Sequence, residues 1–286
     1  MKLFIIGHKG WIGQKYIKYC QDNNIEYCFS NKRADDKEIE QEILDLNATH
    51  IVSCIGRTHG GGIPNIDYLE TNDKLPINVN DNLYSPINLA HIAERNNLHF
   101  TYIGTGCIFK YDEAHPLDSG IGFTEDDEPN FFGSNYSIVK GFTDRLMKNF
   151  KRTLNLRIRM PITNENHHRN FITKISKFEK VCSIPNSMTV LTELIPLSFK
   201  MMENDETGTF NFTNPGVISH NEILEMYQEL VDPFFKWENM TVNQQNGVLV
   251  AQRSNNLLDT SKLESKYQVD DIKTAVRKCL ENYNLS

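Results

Sequence analysis

The sequence predicts an α/β fold, a doubly wound parallel sheet followed by a smaller C-terminal lobe. Three observations carry that expectation. The chain opens on the apolar run 2–6, which leads into glycines at positions 7, 10 and 13. Strand-like and helix-like segments then alternate as far as the strand-like run 154–160. Beyond Pro161 the alternation gives way to loop-rich stretches and separate helices.

In chain order, residues 2–6 read as the first strand, 11–23 as the first helix and 26–30 as the second strand. Helical residues 37–46 precede the apolar stretch 50–55, and a helix over 78–95 precedes the strand 99–104. Residues 134–150 read as a further helix, and 154–160 as a strand closed by Pro161. Residues 163–169 and 184–189 look like loops. A helix over 193–203 and a strand over 209–213 follow. Ser219 and Glu222 then form an S-x-x-E capping box that opens a helix carrying Ile223, Leu224 and Tyr227. The last helix is expected over 272–283. The domain boundary is expected near residue 162, giving lobes 1–162 and 163–286, with some segments of the second returning to pack on the first. At roughly 100–200 residues per domain, 286 residues suit this division.

Composition narrows the functional classes. Hydrophobic residues at 39% can build a core, and charged residues at 23% argue against wholesale disorder. With 30 basic against 37 acidic residues the net charge is −7, which disfavours a nucleic-acid or membrane-surface binder. No apolar run approaches the ~18 residues of a transmembrane helix. The opening MKLFIIGHKG lacks the pattern of a signal peptide, and six scattered cysteines without a C-x-x-C pair suit reduced thiols, so a cytoplasmic protein is expected.

Gly7, Gly10 and Gly13 are spaced G-x-x-G-x-x-G between the first strand and the first helix. Glycines there permit a tight turn and close backbone approach, and the helix N-terminus offers N–H groups to a pyrophosphate. This context predicts a Rossmann-type dinucleotide site. At the end of the second strand, Phe29-Ser30-Asn31-Lys32-Arg33 holds no acid until Asp35. A neutral-to-basic pocket favours a 2′-phosphate, with Arg33 or Lys32 as its partner, so NADPH is expected over NADH. The expected cofactor contacts are Gly7, Gly10, Trp11, Ile12, Gly13, Asn31, Arg33, Ile55 and Gly56, joined by Tyr136 and Lys140. Those last two lie four apart on one predicted helix face, where an ammonium favours the phenolate. Thr105 ends the preceding strand, where its hydroxyl could bond a substrate carbonyl beside Tyr136.

Taken together, several strings resemble the extended short-chain dehydrogenase/reductases that act on nucleotide sugars. They are GHKGWIG (7–13), GTGCIFKYD (104–112), HPLDSGIGF (115–123), PNFFGSNYS (129–137), RMPI (159–162), RNFITKI (169–175), IPNSMTV (184–190), NFTNPGVISHNEILEMY (211–227) and RSNN (253–256). Within that superfamily they are most similar to the bifunctional 3,5-epimerase/4-reductases of UDP-L-rhamnose synthesis, which also form the C-terminal module of plant rhamnose synthases. The loop 57–64 looks a few residues longer than in the plant enzymes.

The resemblance implies NADPH-dependent conversion of UDP-4-keto-6-deoxy-D-glucose to UDP-L-rhamnose, by 3,5-epimerisation and then 4-keto reduction. It implies Thr105, Cys107, Tyr136, Lys140 and Lys174 as catalytic residues, with Cys107 and Lys174 as the epimerase acid/base pair. A lysine at 174 fits this branch, since related fucose-forming enzymes carry a histidine there. Thr105 is followed by Gly106 and Cys107 where the 4,6-dehydratases carry Asp-Glu, which disfavours water elimination. Thr105, Asn170, Arg253 and Asn255 are the implied substrate contacts, with Arg253 as a pyrophosphate clamp. An upstream 4,6-dehydratase is expected as pathway partner, and a homodimer as the assembly. No metal is expected, because the adjacent His167 and His168 are poor chelators without an acidic or cysteine cluster. Two rivals stand beside this reading: a 4-reductase alone, acting on dTDP- or UDP-4-dehydrorhamnose, and a noncatalytic NADP-binding regulatory subunit.

Overall fold

The computed structural model describes residues 1–284. Strand β1 (Lys2–Ile6) leads through the glycine turn to α1 (Trp11–Asp22), followed by β2 (Glu26–Cys28), α2 (Ile39–Asp45) and β3 (His50–Ser53). A long helical stretch then runs as α3 (Leu75–Val79), a π turn (Asn80–Tyr84) and α4 (Ser85–Arg95). Strand β4 (His99–Thr105), helix α5 (Asn135–Met147) and strand β5 (Thr153–Ile158) complete the regular alternation. Thereafter come α6 (Phe171–Ile175), β6 (Lys180–Val181), α7 (Leu191–Glu203), β7 (Gly208–Asn211) and α8 (His220–Leu230). The last elements are β8 (Glu238–Asn239), α9 (Val242–Val248), α10 (Ser261–Glu264) and α11 (Ile272–Glu281).

The main sheet has six strands in the order β2-β1-β3-β4-β5-β7, and β1 pairs in parallel with both β2 and β3, as β3 does with β4. This is the expected doubly wound α/β fold. The order reverses between β1 and β3, so the crevice beyond their carboxyl ends is the topological switch point where such sheets bind ligands.

The chain divides into two compact units. The first comprises Met1–Ile108, Phe132–Arg157 and Ile195–Phe210; the second comprises Phe109–Phe131, Ile158–Leu194 and the chain from Asn211. The chain crosses between the units several times, once at Arg157–Ile158 close to the expected boundary, with Ile195–Phe210 in the first unit and Phe109–Phe131 in the second. Backbone pairing gives the reason. Tyr111 N–H donates to Asn255 O at 2.9 Å, Phe123 N–H to Leu257 O at 2.8 Å and Asp259 N–H to Phe123 O at 2.8 Å. These long-range bonds lie outside any local sequence signal.

In the first unit Phe4, Ile43, Ile51, Leu89 and Phe100 pack into one apolar cluster. In the second, Ile162, Ile172, Val190, Ile223 and Val276 form another. Helix starts follow their capping chemistry: Ser134 accepts from Ser137 N–H at the head of α5, Ser219 and Glu222 complete the capping box of α8, and Asp271 caps α11. The helix expected over 78–95 extends earlier and contains the π turn. Pro86 cannot donate to the carbonyl four residues back, so the ladder locally widens. The carbonyl it leaves, that of Asn82, accepts instead from Thr143 Oγ1 at 2.6 Å.

Strand β5 is buried along its whole length although it carries Asn155 and Arg157. Both face Asp144 of α5. Arg157 Nε and Nη2 donate to its two carboxylate oxygens at 2.9 and 2.7 Å, and Asn155 Nδ2 donates at 2.8 Å. The neighbouring strand leaves room at Gly104, where a Cβ would lie 2.3 Å from Asn155 Oδ1. Removing one partner of a buried pair strands the other charge, so Asp144→Ala is expected to lower stability by ~3–5 kcal/mol. Urea unfolding measures this, and a loss below ~1 kcal/mol, the scale of an exposed pair, would show the pair to be dispensable.

Two histidines make the first unit acid-sensitive. His50 and His99 stand side by side on β3 and β4 with ring centroids 5.0 Å apart. Burial, then the charge of His99, pushes His50 from 6.5 down to about 4, and burial lowers His99 as well. The unfolded chain therefore takes up protons first, and stability is lost as pH falls from 6.5 towards about 4. His50→Gln should flatten that slope in denaturant titrations across the window; an unchanged slope would exclude His50 as its source.

Candidate functional site

The glycine turn has the geometry of a phosphate cradle. Gly7 adopts φ +82°, and a Cβ there would lie 2.9 Å from the Cys54 carbonyl carbon. A Cβ on Gly13 would sit 2.3 Å from Gly7 O. Gly10 is the N-cap of α1, with no side-chain cap bond and no acidic residue in the first turn. The positive end of the helix thus meets no carboxylate of its own first turn. Trp11 and Ile12 occupy that turn. Ile55 and Gly56 follow β3 across the switch point, and a Cβ on Gly56 would meet nothing within 4 Å.

The pocket expected at the end of β2 is charge-balanced rather than basic. Arg33 is bound by Asp35 (Nε–Oδ1, 2.9 Å) and Asp81 (Nη2–Oδ1, 2.9 Å), and Asp81 also holds Arg57 at 2.8 Å. Lys32 pairs with Glu38 at 2.5 Å. Asp81 comes from the π turn, 48 residues away in sequence, and local reading of residues 29–35 could not supply it. The carboxylates fix the guanidinium in place while its side chain keeps 58% exposure. Asn31 is exposed beside it.

Thr105, Cys107, Tyr136 and Lys140 come together where β4 ends and α5 begins. Cys107 N–H donates to Thr105 Oγ1 at 3.1 Å, and Cys107 O accepts from Ser137 Oγ at 2.7 Å. Ser137 Oγ in turn accepts from Ser134 Oγ at 2.9 Å. The two serines tie the strand end to the helix that carries Tyr136. Glu70 adds a second tie, its carboxylate accepting from Asn135 N–H at 3.0 Å. Burial pushes the Tyr136 phenol up, Cys107 adds to this, and a hydrogen bond with Thr105 opposes it.

Lys140 is buried, and burial pulls its ammonium down to about 7 against the opposing charges of Asp144 and Cys107. Its Nζ donates to the Tyr102 hydroxyl and lies 4.5 Å over the centre of that ring. Ser134, Ser137, Glu70 and Tyr102 went unrecognised in the sequence. Only Ser134 carried a local signal, as an N-cap.

The remaining expected residues belong to the second unit. Lys174 lies on α6 and is partly buried; burial lowers its ammonium, and the charges of Arg169 and Arg253 lower it further. Arg253 Nη1 donates to Ala251 O at 2.7 Å. Asn255 Oδ1 accepts from Asn186 Nδ2 at 2.9 Å. Asn170 does not present itself as a substrate contact. It is fully buried, caps α6, accepts from Thr163 N–H at 3.2 Å and donates to the carbonyls of Thr163 and Glu165 at 2.8 and 2.7 Å. Those four bonds use the capacity of its amide.

Arg159, within the RMPI string, is a further buried group. It donates to Asn186 Oδ1 at 2.7 Å and to Ser254 O at 3.1 Å, fixing the backbone between Arg253 and Asn255. The rings of His167 and His168 lie tilted to each other with centroids 4.3 Å apart, and the cations Arg169, Lys174 and Lys177 bear on His168. Among the described residues no group of three or more His, Cys, Asp or Glu is placed to hold a metal. No helix among them is long and apolar enough to cross a membrane.

No protein-family model matches the chain. Known proteins do. The crystal structure of the L780 UDP-rhamnose synthase from Acanthamoeba polyphaga mimivirus superposes with a TM-score of 0.95 at 51% identity, covering 99% of each chain. A bifunctional dTDP-4-dehydrorhamnose 3,5-epimerase/dTDP-4-dehydrorhamnose reductase of Arabidopsis thaliana is 45% identical over 265 residues, 92% of this chain and 86% of that one. The trifunctional Arabidopsis thaliana enzyme RHM2 combines a UDP-glucose 4,6-dehydratase, a UDP-4-keto-6-deoxy-D-glucose 3,5-epimerase and a UDP-4-keto-L-rhamnose-reductase. It is 45% identical over 269 residues, which make up 93% of this chain and 40% of that longer polypeptide. At these identities over nearly its full length, the chain belongs to the nucleotide-sugar reductase family of rhamnose synthesis.

Proposed function

We propose that the chain converts UDP-4-keto-6-deoxy-D-glucose to UDP-L-rhamnose, epimerising carbons 3 and 5 and then reducing the 4-keto group with NADPH. The observation that carries this reading is the convergence of Thr105, Cys107, Tyr136 and Lys140 at the junction of β4 and α5. A 4-keto oxygen at Thr105 and Tyr136 would be polarised by both hydroxyls. The same polarisation serves enolisation and carbonyl reduction, because each places negative charge on that oxygen.

The cofactor assignment rests on the glycine turn. Gly7 and Gly13 admit no side chain, Gly56 opens on free space and the α1 N-terminus lacks a first-turn acid. A bound NADPH would supply the hydride. Arg33, held by its two carboxylates, is the group proposed for the 2′-phosphate, and Asn31, Ile55, Trp11 and Ile12 are proposed as further cofactor contacts. In the reduction, hydride adds to carbon 4 and the Tyr136 hydroxyl gives its proton to the carbonyl oxygen. Lys140 favours that transfer through its positive charge.

For epimerisation we assign Cys107 and Lys174 as the acid/base pair. One group removes the acidic proton beside the ketone, the electron pair moves onto the 4-oxygen, and the other group returns a proton to the opposite face. Electrons and protons balance without a redox change. Burial, and then the charges of Arg169 and Arg253, lower the Lys174 ammonium, the direction that favours proton transfer through its amine. Arg253, with Asn255 beside it, is proposed to hold the diphosphate; Arg169, whose charge reaches Lys174, joins them. RHM2 carries its dehydratase in one polypeptide with these two activities, which supports a 4,6-dehydratase as the supplier of substrate.

Two measurements test the reading. With UDP-4-keto-6-deoxyglucose in D2O, Cys107→Ala and Lys174→Ala should each slow deuterium entry at carbons 3 and 5 by ~10²–10⁴-fold. Both variants should still reduce supplied UDP-4-keto-L-rhamnose. Either variant taking up deuterium at full rate would remove that residue from the acid/base pair, and a wild type that takes up none while reducing UDP-4-keto-L-rhamnose would leave a 4-reductase alone. Tyr136→Phe should lower NADPH oxidation by ~10²–10⁴-fold while NADPH binding, followed by fluorescence, persists. Retained turnover would remove Tyr136 as the proton donor.

A further inference from the structure

Lys140 can help Tyr136 only while it carries its charge, and a buried ammonium stays charged only through the groups that face it. Tyr102, on β4 three residues before Thr105, faces it through its hydroxyl. Its oxygen accepts the hydrogen bond from Nζ, which lies 4.5 Å from the ring centre at the hydroxyl end of the side chain. The Tyr102 side chain is itself buried, with 1% exposure, so water does not compete for the contact. We propose that Tyr102 is a positioning residue for the reduction, holding Lys140 protonated and in place one turn from Tyr136. The inference rests on the reductive roles of Tyr136 and Lys140 proposed above.

The chemistry of a phenol suits this task. A carboxylate at this position would hold the ammonium charged but would cancel its field at Tyr136. A neutral oxygen stabilises the charge through a charge-assisted hydrogen bond and leaves the field intact. The contact also outlives a proton transfer. When Lys140 is charged, Nζ donates to the phenol oxygen; when it is neutral, the phenol O–H donates to the amine. The side chain is then held in the same place throughout the cycle.

Other charged groups around α5 are placed differently. Asp144 and Cys107 raise the Lys140 ammonium, and burial outweighs them. Asp144 is itself gripped by Arg157. On the π turn Asp81 binds Arg33 and Arg57, and Glu70 engages the Asn135 N–H. On α4, Arg95 pairs with Glu40, Glu94 accepts from Arg152 N–H and His91 stands edge-on to Phe150. Asp73 and Lys74, ahead of α3, pair with each other, and Asp67 lies in the turn Ile66–Leu69. Tyr102 is therefore the neutral hydrogen-bonding side chain that bears directly on Nζ.

The test is Tyr102→Phe, which removes one oxygen and keeps the ring. Losing an acceptor of the charged form lowers the Lys140 pKa, so the alkaline limb of the kcat–pH profile should move down by about one unit. At pH values between the two limbs the variant should lose up to roughly tenfold in kcat, with little change at lower pH. Tyr102→Gln restores an acceptor and should bring the limb back towards its original position. In parallel, ¹³C NMR titration of lysine-labelled protein reads the Lys140 midpoint directly, without substrate, and should show the same displacement. Superimposable profiles and midpoints for wild type and Tyr102→Phe would overturn the proposal. A wild type inactive on every nucleotide 4-keto sugar would overturn the proposed function instead, while the NMR midpoint would still decide the role of Tyr102.

Discussion

Helix α5 depends on one buried ion pair, that between its Asp144 and Arg157 of β5. Desolvating two such charges costs several kcal/mol for each ion, recovered only when the geometry is good and the remaining donors and acceptors are filled. Here both carboxylate oxygens are engaged by the guanidinium, and Asn155 bonds to one of them. A bidentate contact fixes rotation as well as distance. Since α5 also carries Tyr136 and Lys140, the pair sets the face that the helix presents at the end of β4. The vacancy of side chain at Gly104 follows from the same constraint, because Asn155 occupies that space.

The pair has an electrostatic consequence one helical turn away. Asp144 lies four residues after Lys140, where an unengaged carboxylate would take the lysine as its partner. Arg157 occupies it instead, leaving Asp144 to raise the ammonium only as a secondary influence while burial dominates. Lys140 is thereby poised near neutrality rather than locked in a salt bridge. A similar division of partners occurs past β2 and β3, where Asp81 joins Arg33 to Arg57 and, with Asp35, brings the local charge near zero. In both places a carboxylate holds an arginine in position.

What was legible in the sequence is what short-range chemistry encodes. The glycine turn, the helix starting after Ser134 and the capping box at Ser219 each depend on residues within a few positions. Tyr136 and Lys140 were legible for the same reason, being one turn apart. Arg33 reads as an available cation because the sequence does not show that Asp35 turns back onto it or that Asp81, distant in the chain, joins it. Asn170 was read through its string, whereas its amide closes a loop with Thr163 and Glu165. Tyr102 lies within the strand read over 99–104 with no local signal, and only the fold brings Lys140 onto its hydroxyl. The assignment of Phe109–Phe131 to the second unit was hidden likewise, since its pairing partners lie more than 130 residues downstream.

Net charge illustrates how little a whole-chain average says about a site. At −7 the chain looks ill-suited to polyanions such as a dinucleotide and a nucleotide diphosphate. Screening limits an exposed surface charge to about 8–10 Å at physiological salt, so most of those carboxylates do not reach a given phosphate. What matters is the charge within that radius. At the glycine turn it is the end of α1, which has no acidic residue in its first turn. In the second unit it is the cluster of Lys174, Arg169 and Arg253, where burial first, and then the charges of the two arginines, lower the Lys174 ammonium. Cations that repel one another are stabilised when a dianion enters between them, so a local field unfavourable to its own members favours an anionic ligand.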